Sequence, residues 1–354
     1  MNQLNVTSKI VDKSVANDIT PLEHIGQVAN QVAANYVFAD YINRKSIHTI
    51  QSQAAALNLF GEYLAVVGIP GHSADNLQTD PQAWRGITWG IVEGFVKWCL
   101  KEGYAVSTVN NRLSAVKVYA KLAAKAGVIP AEELQLIRVV SGYGSQEGKR
   151  INERRPVSRV GHKKAAPVRL TATQAKVLKN QPGTPQGRRD ALLMCLLLDH
   201  GLRVGEVVRL EVADFDLERG ELRFYRPKVD LEQTHELTGD TWRAARAYFG
   251  FDAPAEGRVL LGRLKNGRLT GRPLSIRAIK KRVAFLGRSQ LDIEGGSDTE
   301  LSPHDCRHYW ATDAARNGTD PFRLQEAGGW ASLAMPRRYV EAAEVANKGV
   351  KLSG

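Results

Sequence analysis

Cysteine is scarce in this chain. Cys99, Cys195 and Cys306 are the only three in 354 residues, and their odd number and wide spacing argue against a disulfide framework. Long apolar runs are lacking as well. The longest, Ala191 to Leu198, is too short to cross a bilayer, so no membrane partner is expected. The opening MNQLNVTSKIVDKS is polar and holds no apolar stretch of a secretion signal, which predicts a soluble, cytoplasmic protein. A Gly-rich loop of the G-x-x-x-x-G-K type is missing, as is any Cys-x-x-Cys pair, so no nucleotide cofactor and no metal are expected. Acidic residues fall short too: 37 Asp and Glu stand against 49 Lys and Arg, leaving a net charge of +12 and an isoelectric point of about 9.6. Such an excess suits a polyanionic partner, nucleic acid first.

The charge is concentrated. Residues 141–170 carry 8 Lys or Arg against 2 Asp or Glu, whereas residues 1–140 carry 12 against 11. Rich in Gly and Ser and without apolar periodicity, residues 141–168 read as a basic interdomain linker. Lys149, Arg150, Arg154, Arg155, Lys163 and Lys164 are its candidate DNA contacts, because each neutralised phosphate releases a counterion. Before it, residues 31–140 read as a helical domain. Leu57, Phe60, Leu64 and Val67 fall at helical spacing, as do Ile87, Ile91, Phe95 and Trp98. A helix after Tyr104 is expected to take Ser107 or Thr108 as cap and to stop at Gly127. Trp84, Trp89 and Trp98 read as core, and residues 1–30 as a weakly ordered segment.

Residues 169–354 form the second domain. Leu170-Thr171 opens a helix, and Gln186 to Asp199 is apolar nearly all round, so it should be buried. Short β-like runs follow at Val212–Leu217, Glu221–Arg226 and Gln233–Leu237, separated by turns; from Asp240 onward the chain reads as mostly helical. The fold class is therefore mainly α with a small antiparallel sheet.

Four separated pieces of this domain matter together: HGLRVGEVVRL (200–210), Lys228 in a turn between strands, HDCRH (304–308) and GGWASLAMPRRYV (328–340). Singly, each has a bland reading as a surface ion pair, a solvated lysine, a capping pair or a packing tyrosine. His304 and His308 with Cys306 between them also suggest a metal site, but Cys306 points off that face. In order and spacing the set resembles the tyrosine recombinase (phage integrase) family over about residues 165–345. That family's pattern has an Arg in a G-L-R-x-x-E context, a hairpin Lys, His-x-x-Arg, a His or Trp, and a Tyr nine residues later. Here these are Arg203 with Glu206, Lys228, His304 and Arg307, Trp330, and Tyr339. Trp330 departs from the commoner His. An indole N–H donates a hydrogen bond but does no acid–base work.

The chemistry is consistent with the resemblance. Attack on an anionic phosphodiester needs charge stabilisation on the nonbridging oxygens, which Arg203 and Arg307 offer as planar, permanently charged donors. Tyr339 would be the nucleophile, its phenolate favoured by arginines including Arg337 and Arg338. Lys228 would protonate the departing deoxyribose oxygen, His304 assist the tyrosine or hold phosphate, Trp330 donate to phosphate, and Glu206 serve as a structural ion-pair partner. The resemblance implies a site-specific recombinase or integrase that forms a 3′-phosphotyrosine. It also implies a C-shaped two-domain clamp on double-stranded DNA, a homotetramer on that DNA, exchange of C-terminal segments and accessory DNA-bending proteins. A nucleoid-associated location goes with it. The alternatives are type IB topoisomerase-like relaxation and a regulator that binds DNA without cutting it.

Overall fold

A computed structural model of the chain describes residues 20–154, 168–291 and 300–343. The chain divides between Gly161 and His162 into two units. The first is helical: α1 (Pro21–Asn43), α2 (Ile47–Val66), α3 (Ala74–Thr79), a 3-10 turn (Pro81–Trp84), α4 (Trp89–Lys101), α5 (Val106–Lys125), α6 (Ala131–Val139) and α7 (Ser145–Arg154). Helix α1 begins inside the stretch read as weakly ordered. Thr20 accepts the Glu23 N–H, Glu23 accepts the Thr20 N–H in return, and Pro21 suits the first turn. The start of α5 is set differently from the expected Ser or Thr cap. No side chain caps it, and burial of Ala105 and Val106 fixes the entry instead. Trp84 is fully buried and Trp98 packs against the core, but Trp89, the first residue of α4, is 47% exposed. Helix α7 occupies part of the stretch read as a linker and carries Lys149, Arg150 and Arg154 exposed; Arg155, Lys163 and Lys164 lie outside the described residues.

The second unit comprises α8 (Ala172–Lys179), α9 (Pro185–Leu198), α10 (Val204–Val207), a 3-10 turn (Val212–Asp214), β1 (Phe215–Asp216), β2 (Glu221–Arg226), β3 (Leu231–Glu236) and α11 (Gly239–Phe251). β4 (Leu261–Arg263), β5 (Leu269–Pro273), α12 (Ile276–Gln290), α13 (Pro303–Arg316), α14 (Pro321–Gly328) and α15 (Ala334–Ala343) follow. It is mainly helical with two small antiparallel sheets, β1-β2-β3 and β4-β5. The run from Val212 begins as a 3-10 turn, so only Phe215 and Asp216 pair with β2. The β4-β5 pair escaped the sequence reading because its strands are short and interrupted by Gly262 and Gly271.

Helix α9 is the axis of this core. Leu192, Leu193, Leu196 and Leu197 are fully buried among Leu202, Leu222, Tyr248 and Val283. Around it α10, the β2-β3 hairpin and α13 bring their ends together. In the hairpin Arg226 pairs with Leu231, leaving Pro227 to Asp230 as the turn that displays Lys228. Among the described residues no helix is long and apolar enough to cross a membrane. The C-terminal tail beyond Ala343 lies outside them.

Candidate active site

Arg203 follows the tight end of α9. Gly201 adopts φ +58, and a Cβ there would come within 2.2 Å of the Trp310 ring, so the turn requires glycine. Arg203 then caps α10. Glu206, three residues on, accepts from both the Arg203 backbone N–H (2.7 Å) and its Nη1 (2.9 Å), while Arg203 Nη2 donates to the Gly329 carbonyl at 2.8 Å. This geometry accounts for Glu206 in the G-L-R-x-x-E context: its carboxylate fixes both ends of one arginine.

Glu206 holds a second guanidinium, which the sequence reading missed. Arg226, the last residue of β2, is completely buried. Its Nη1 reaches Glu206 Oε2 at 2.9 Å and Oε1 at 3.1 Å, its Nη2 donates to the Ala327 carbonyl at 2.7 Å, and its Nε donates to Gln233. Its only local sign is a position at the end of a strand, where arginines are usually solvated. The partners come from segments 20 and about 100 residues away in sequence.

Arg307 supplies the third guanidinium. Helix α13 starts at a capping box in which Ser302 accepts from the Asp305 N–H while Asp305 accepts from Ser302, and Pro303 occupies the first turn. One turn later Arg307 points inward, 5% exposed, and donates to the Gly201 and Gly328 carbonyls. The guanidinium lies 4.4 Å over the Trp330 ring. Burial, and then neighbouring Arg203, push it down to about 9, still protonated at neutral pH. Thus the carbonyls of Ala327, Gly328 and Gly329, at the electronegative end of α14, accept from three arginines. Gly329 takes φ +56, and a Cβ on it would stand 2.5 Å from Arg226 Cδ. Two of these guanidiniums bond to the one carboxylate and the third only to carbonyls, so the cluster keeps surplus positive charge.

Trp330 links this cluster to Tyr339. Half-buried, it stacks on Trp310 at 5.9 Å and lies 5.8 Å from the Tyr339 ring. Tyr339, on α15, is 6% exposed. Its Oη stands 2.9 Å from Nδ1 of His308, not of His304. Burial raises the phenol above its ordinary range, and Arg307 and Arg338 only partly offset it. The expected arginine-favoured phenolate is therefore not the resting form, because desolvation outweighs the two cations. His304 is exposed and lines a cleft of about 560 Å³ with Arg203, Arg307, Lys280 and Lys281. Lys228 is exposed in its turn and lines a second cleft with Gly329 and Trp330. His304 and His308 face each other with Nε2 atoms 2.9 Å apart, as hydrogen-bond partners. No group of three or more His, Cys, Asp or Glu among the described residues is placed to hold a metal ion.

Residues 168–345 match the Phage integrase family, and the chain belongs to that family. It is 23% identical over 312 residues to the tyrosine recombinase XerC of Vibrio vulnificus (strain YJ016), covering 85% of this chain and 84% of that protein. The XerC of Roseiflexus castenholzii is 28% identical over 272 residues, covering 73% and 75%. Among solved structures, the XerH site-specific recombinase bound to palindromic difH substrate aligns with a TM-score of 0.61 at 18% identity, over 84% of this chain and 78% of that one. The Tn1549 transposon integrase in complex with transposon right end DNA aligns with a TM-score of 0.55 at 16% identity, over 80% and 94%. These structures share the fold.

Proposed function

We propose that this chain is a site-specific DNA recombinase that cuts and rejoins strands through a 3′-phosphotyrosine, with Tyr339 as nucleophile. The carrying observation is the meeting of Arg203, Arg307 and Tyr339 at one end of α14, with Trp330 between the guanidinium of Arg307 and the phenol ring. In this reading Arg203 and Arg307 hold the nonbridging oxygens of the scissile phosphate. Both are fixed in advance by backbone carbonyls, so little reorganisation is needed as charge develops. Glu206 neutralises only one charge of the three, which leaves positive charge for a phosphate. Lys228, on an exposed hairpin turn, protonates the departing 5′ oxygen. Glu206 orients rather than reacts: it is 3% exposed and saturated by two arginines.

Double-stranded DNA is the substrate in this reading, and a tetramer of copies on DNA is the exchanging assembly. The exposed Lys149, Arg150 and Arg154 of α7 add phosphate contacts. Tyr339→Phe tests the proposal. The substitution deletes one oxygen, so covalent protein–DNA adducts should disappear on denaturing gels while DNA affinity stays at the wild-type value. An adduct that persists in the purified variant would assign the attack to another residue.

A further inference from the structure

Tyr339 must lose a proton to attack phosphorus. The arginines and the neutral Trp330 indole beside it have no lone pair to receive one and only donate. His308 does have one. It stands one turn beyond His304 on α13, its Nδ1 is 2.9 Å from Tyr339 Oη, and its Nε2 is 2.9 Å from Nε2 of exposed His304. We propose that His308 is the base that takes the phenol proton of Tyr339, and that His304 forms the outer end of a two-imidazole relay. This inference rests on the recombinase reading and names the group that activates its nucleophile.

The hydrogen-bond pattern gives a consistent set of tautomers. The phenol O–H donates to His308 Nδ1, so His308 carries its proton on Nε2 and donates to Nε2 of His304. As the Oη–P bond forms and the bond from phosphorus to the deoxyribose 5′ oxygen breaks, the phenol proton moves to His308 Nδ1. The His308 Nε2 proton moves at the same time to His304, which becomes imidazolium at the exposed rim, and the proton of Lys228 goes to the departing oxygen. Religation runs each transfer backwards, with His308 returning the proton to the departing phenolate. The relay suits the surroundings of the inner ring. His308 is faced by His304, Asp305 and Arg307 on its own helix and by Arg338 and Tyr339 on α15, and Arg169, Asp313 and Arg316 line the same cleft. Burial above all, then His304, makes this ring reluctant to hold a charge, with Asp305 opposing. Passing the charge to a solvated histidine removes that cost.

The test uses the full chain and a DNA probe obtained from random-sequence duplexes, recovered by covalent attachment to the protein and then resynthesised. Single-turnover adduct formation on this probe is the readout. In His308→Ala the rate should fall by about 10²-fold or more with probe affinity unchanged. Added imidazole, entering the cleft of about 460 Å³ beside His308 and Tyr339, should restore about tenfold of the loss. His308→Asn places a hydrogen-bonding amide near the same position but binds no proton, so it should remain folded and be as slow as the alanine variant. His304→Ala should lose less than either. An Asn variant that cleaves at the wild-type rate would overturn the proposal, and so would a folded Ala variant whose loss imidazole does not relieve. Absence of any Tyr339-dependent adduct in the wild-type protein would instead sink the recombinase reading and the relay with it. A normal Tyr339-dependent adduct with unaffected His308 variants would remove the relay alone.

Discussion

In the first unit the rings of Phe60, Trp84, Phe95 and Tyr119 pack with centroids 5.1 to 6.3 Å apart, and the one buried polar side chain among the described residues there is Gln78, bonded to Tyr119 Oη and the Ile50 carbonyl. In the second, Arg189, Asp190, His200, Glu206, Arg226, Asp305 and Arg307 are all buried. Desolvating an ion costs several kcal/mol even after relaxation, so charge is a poor way to stabilise a core. One set carries two arginines on one carboxylate: Asp190 accepts from buried Arg189 and from half-buried Arg282, and Arg189 also donates to the Leu261 carbonyl, tying α9 to α12 and β4. The other set carries three on one: Arg203, Arg226 and Arg307 stand against Glu206, and Arg203 and Arg307 border an exposed cleft. The core of the first unit is held by packing, whereas that of the second tolerates a costly surplus of positive charge beside its cleft.

The sharpest way to break that contrast is to remove the buried arginine that touches no cleft. Arg226→Met keeps much of the volume but leaves buried Glu206 with Arg203 alone and the Ala327 carbonyl without its partner. Urea unfolding should show a loss of about 3–5 kcal/mol, and covalent cleavage should vanish. Adding Glu206→Leu should recover much of the stability, because replacing a whole buried pair by apolar groups is often neutral. It should not recover cleavage, since Arg203 would then have lost the carboxylate that orients it. Recovery of both would mean that the charges serve only the fold.

The outer members of this site were legible because their spacing is local. Arg203 and Glu206 share a turn, His304 and Arg307 one helix face, and Trp330 and Tyr339 stand nine residues apart, so short motifs reveal them. What ties them together was not. Arg226 is defined by its bonds to Glu206 and to Ala327, far along the chain, and nothing within its own strand signals burial. His308 was visible only as a possible metal partner of His304; its contact with Tyr339 depends on how α15 packs on α13. The helical character of both units followed from periodicity. The order around residues 21–30 and the helix at Ser145–Arg154 did not, since a capping box in the one and, in the other, Glu147 in the first turn and Arg154 in the last outweigh weak apolar patterning there.

Acid should separate the units by a smaller amount. His200, bonded to Thr241 Oγ1 at 3.1 Å, is pushed down to about 4 by burial, and His235, stacked on it at 5.6 Å, to about 3 by burial and then by His200 and Arg226. Their folded values lie below the ordinary 6.5 of the unfolded chain. The unfolded state therefore binds protons that the folded state refuses, and stability is lost as pH falls from 6.5 toward 4, with no effect above about 7. At pH 5 the cost from His200 alone is about 2 kcal/mol. The first unit buries no histidine among its described residues. Amide hydrogen exchange read by mass spectrometry, corrected for intrinsic rates, should show protection falling in α9, β3 and α11 at pH 5 before it falls in α2, α4 and α5. Equal loss in both units would show that the buried histidines are not what sets the acid limit.

Trp330 offers the finest distinction, because it belongs to both kinds of core at once. Its ring packs on Trp310 and beside Tyr339 as an aromatic of the first unit would, and it also lies under the guanidinium of Arg307. Were its role only to donate a hydrogen bond to phosphate, Trp330→His would cleave faster than Trp330→Phe, since histidine keeps a donor and phenylalanine does not. The ring contacts argue for the opposite order. Phenylalanine retains an aromatic face for Arg307 and apolar area against Trp310. Histidine offers a smaller ring and, when protonated, a like charge beside a buried arginine. Losing the cation–π contact costs about 0.5–2 kcal/mol, so Trp330→Phe should cleave within about tenfold of wild type and outpace Trp330→His, with Trp330→Ala slowest. Rates should be taken on folded protein at saturating DNA, so that they report the positioning of Arg307 and Tyr339 and not binding. If the histidine variant is the faster, the donor outweighs the platform, and Trp330 acts on the phosphate directly.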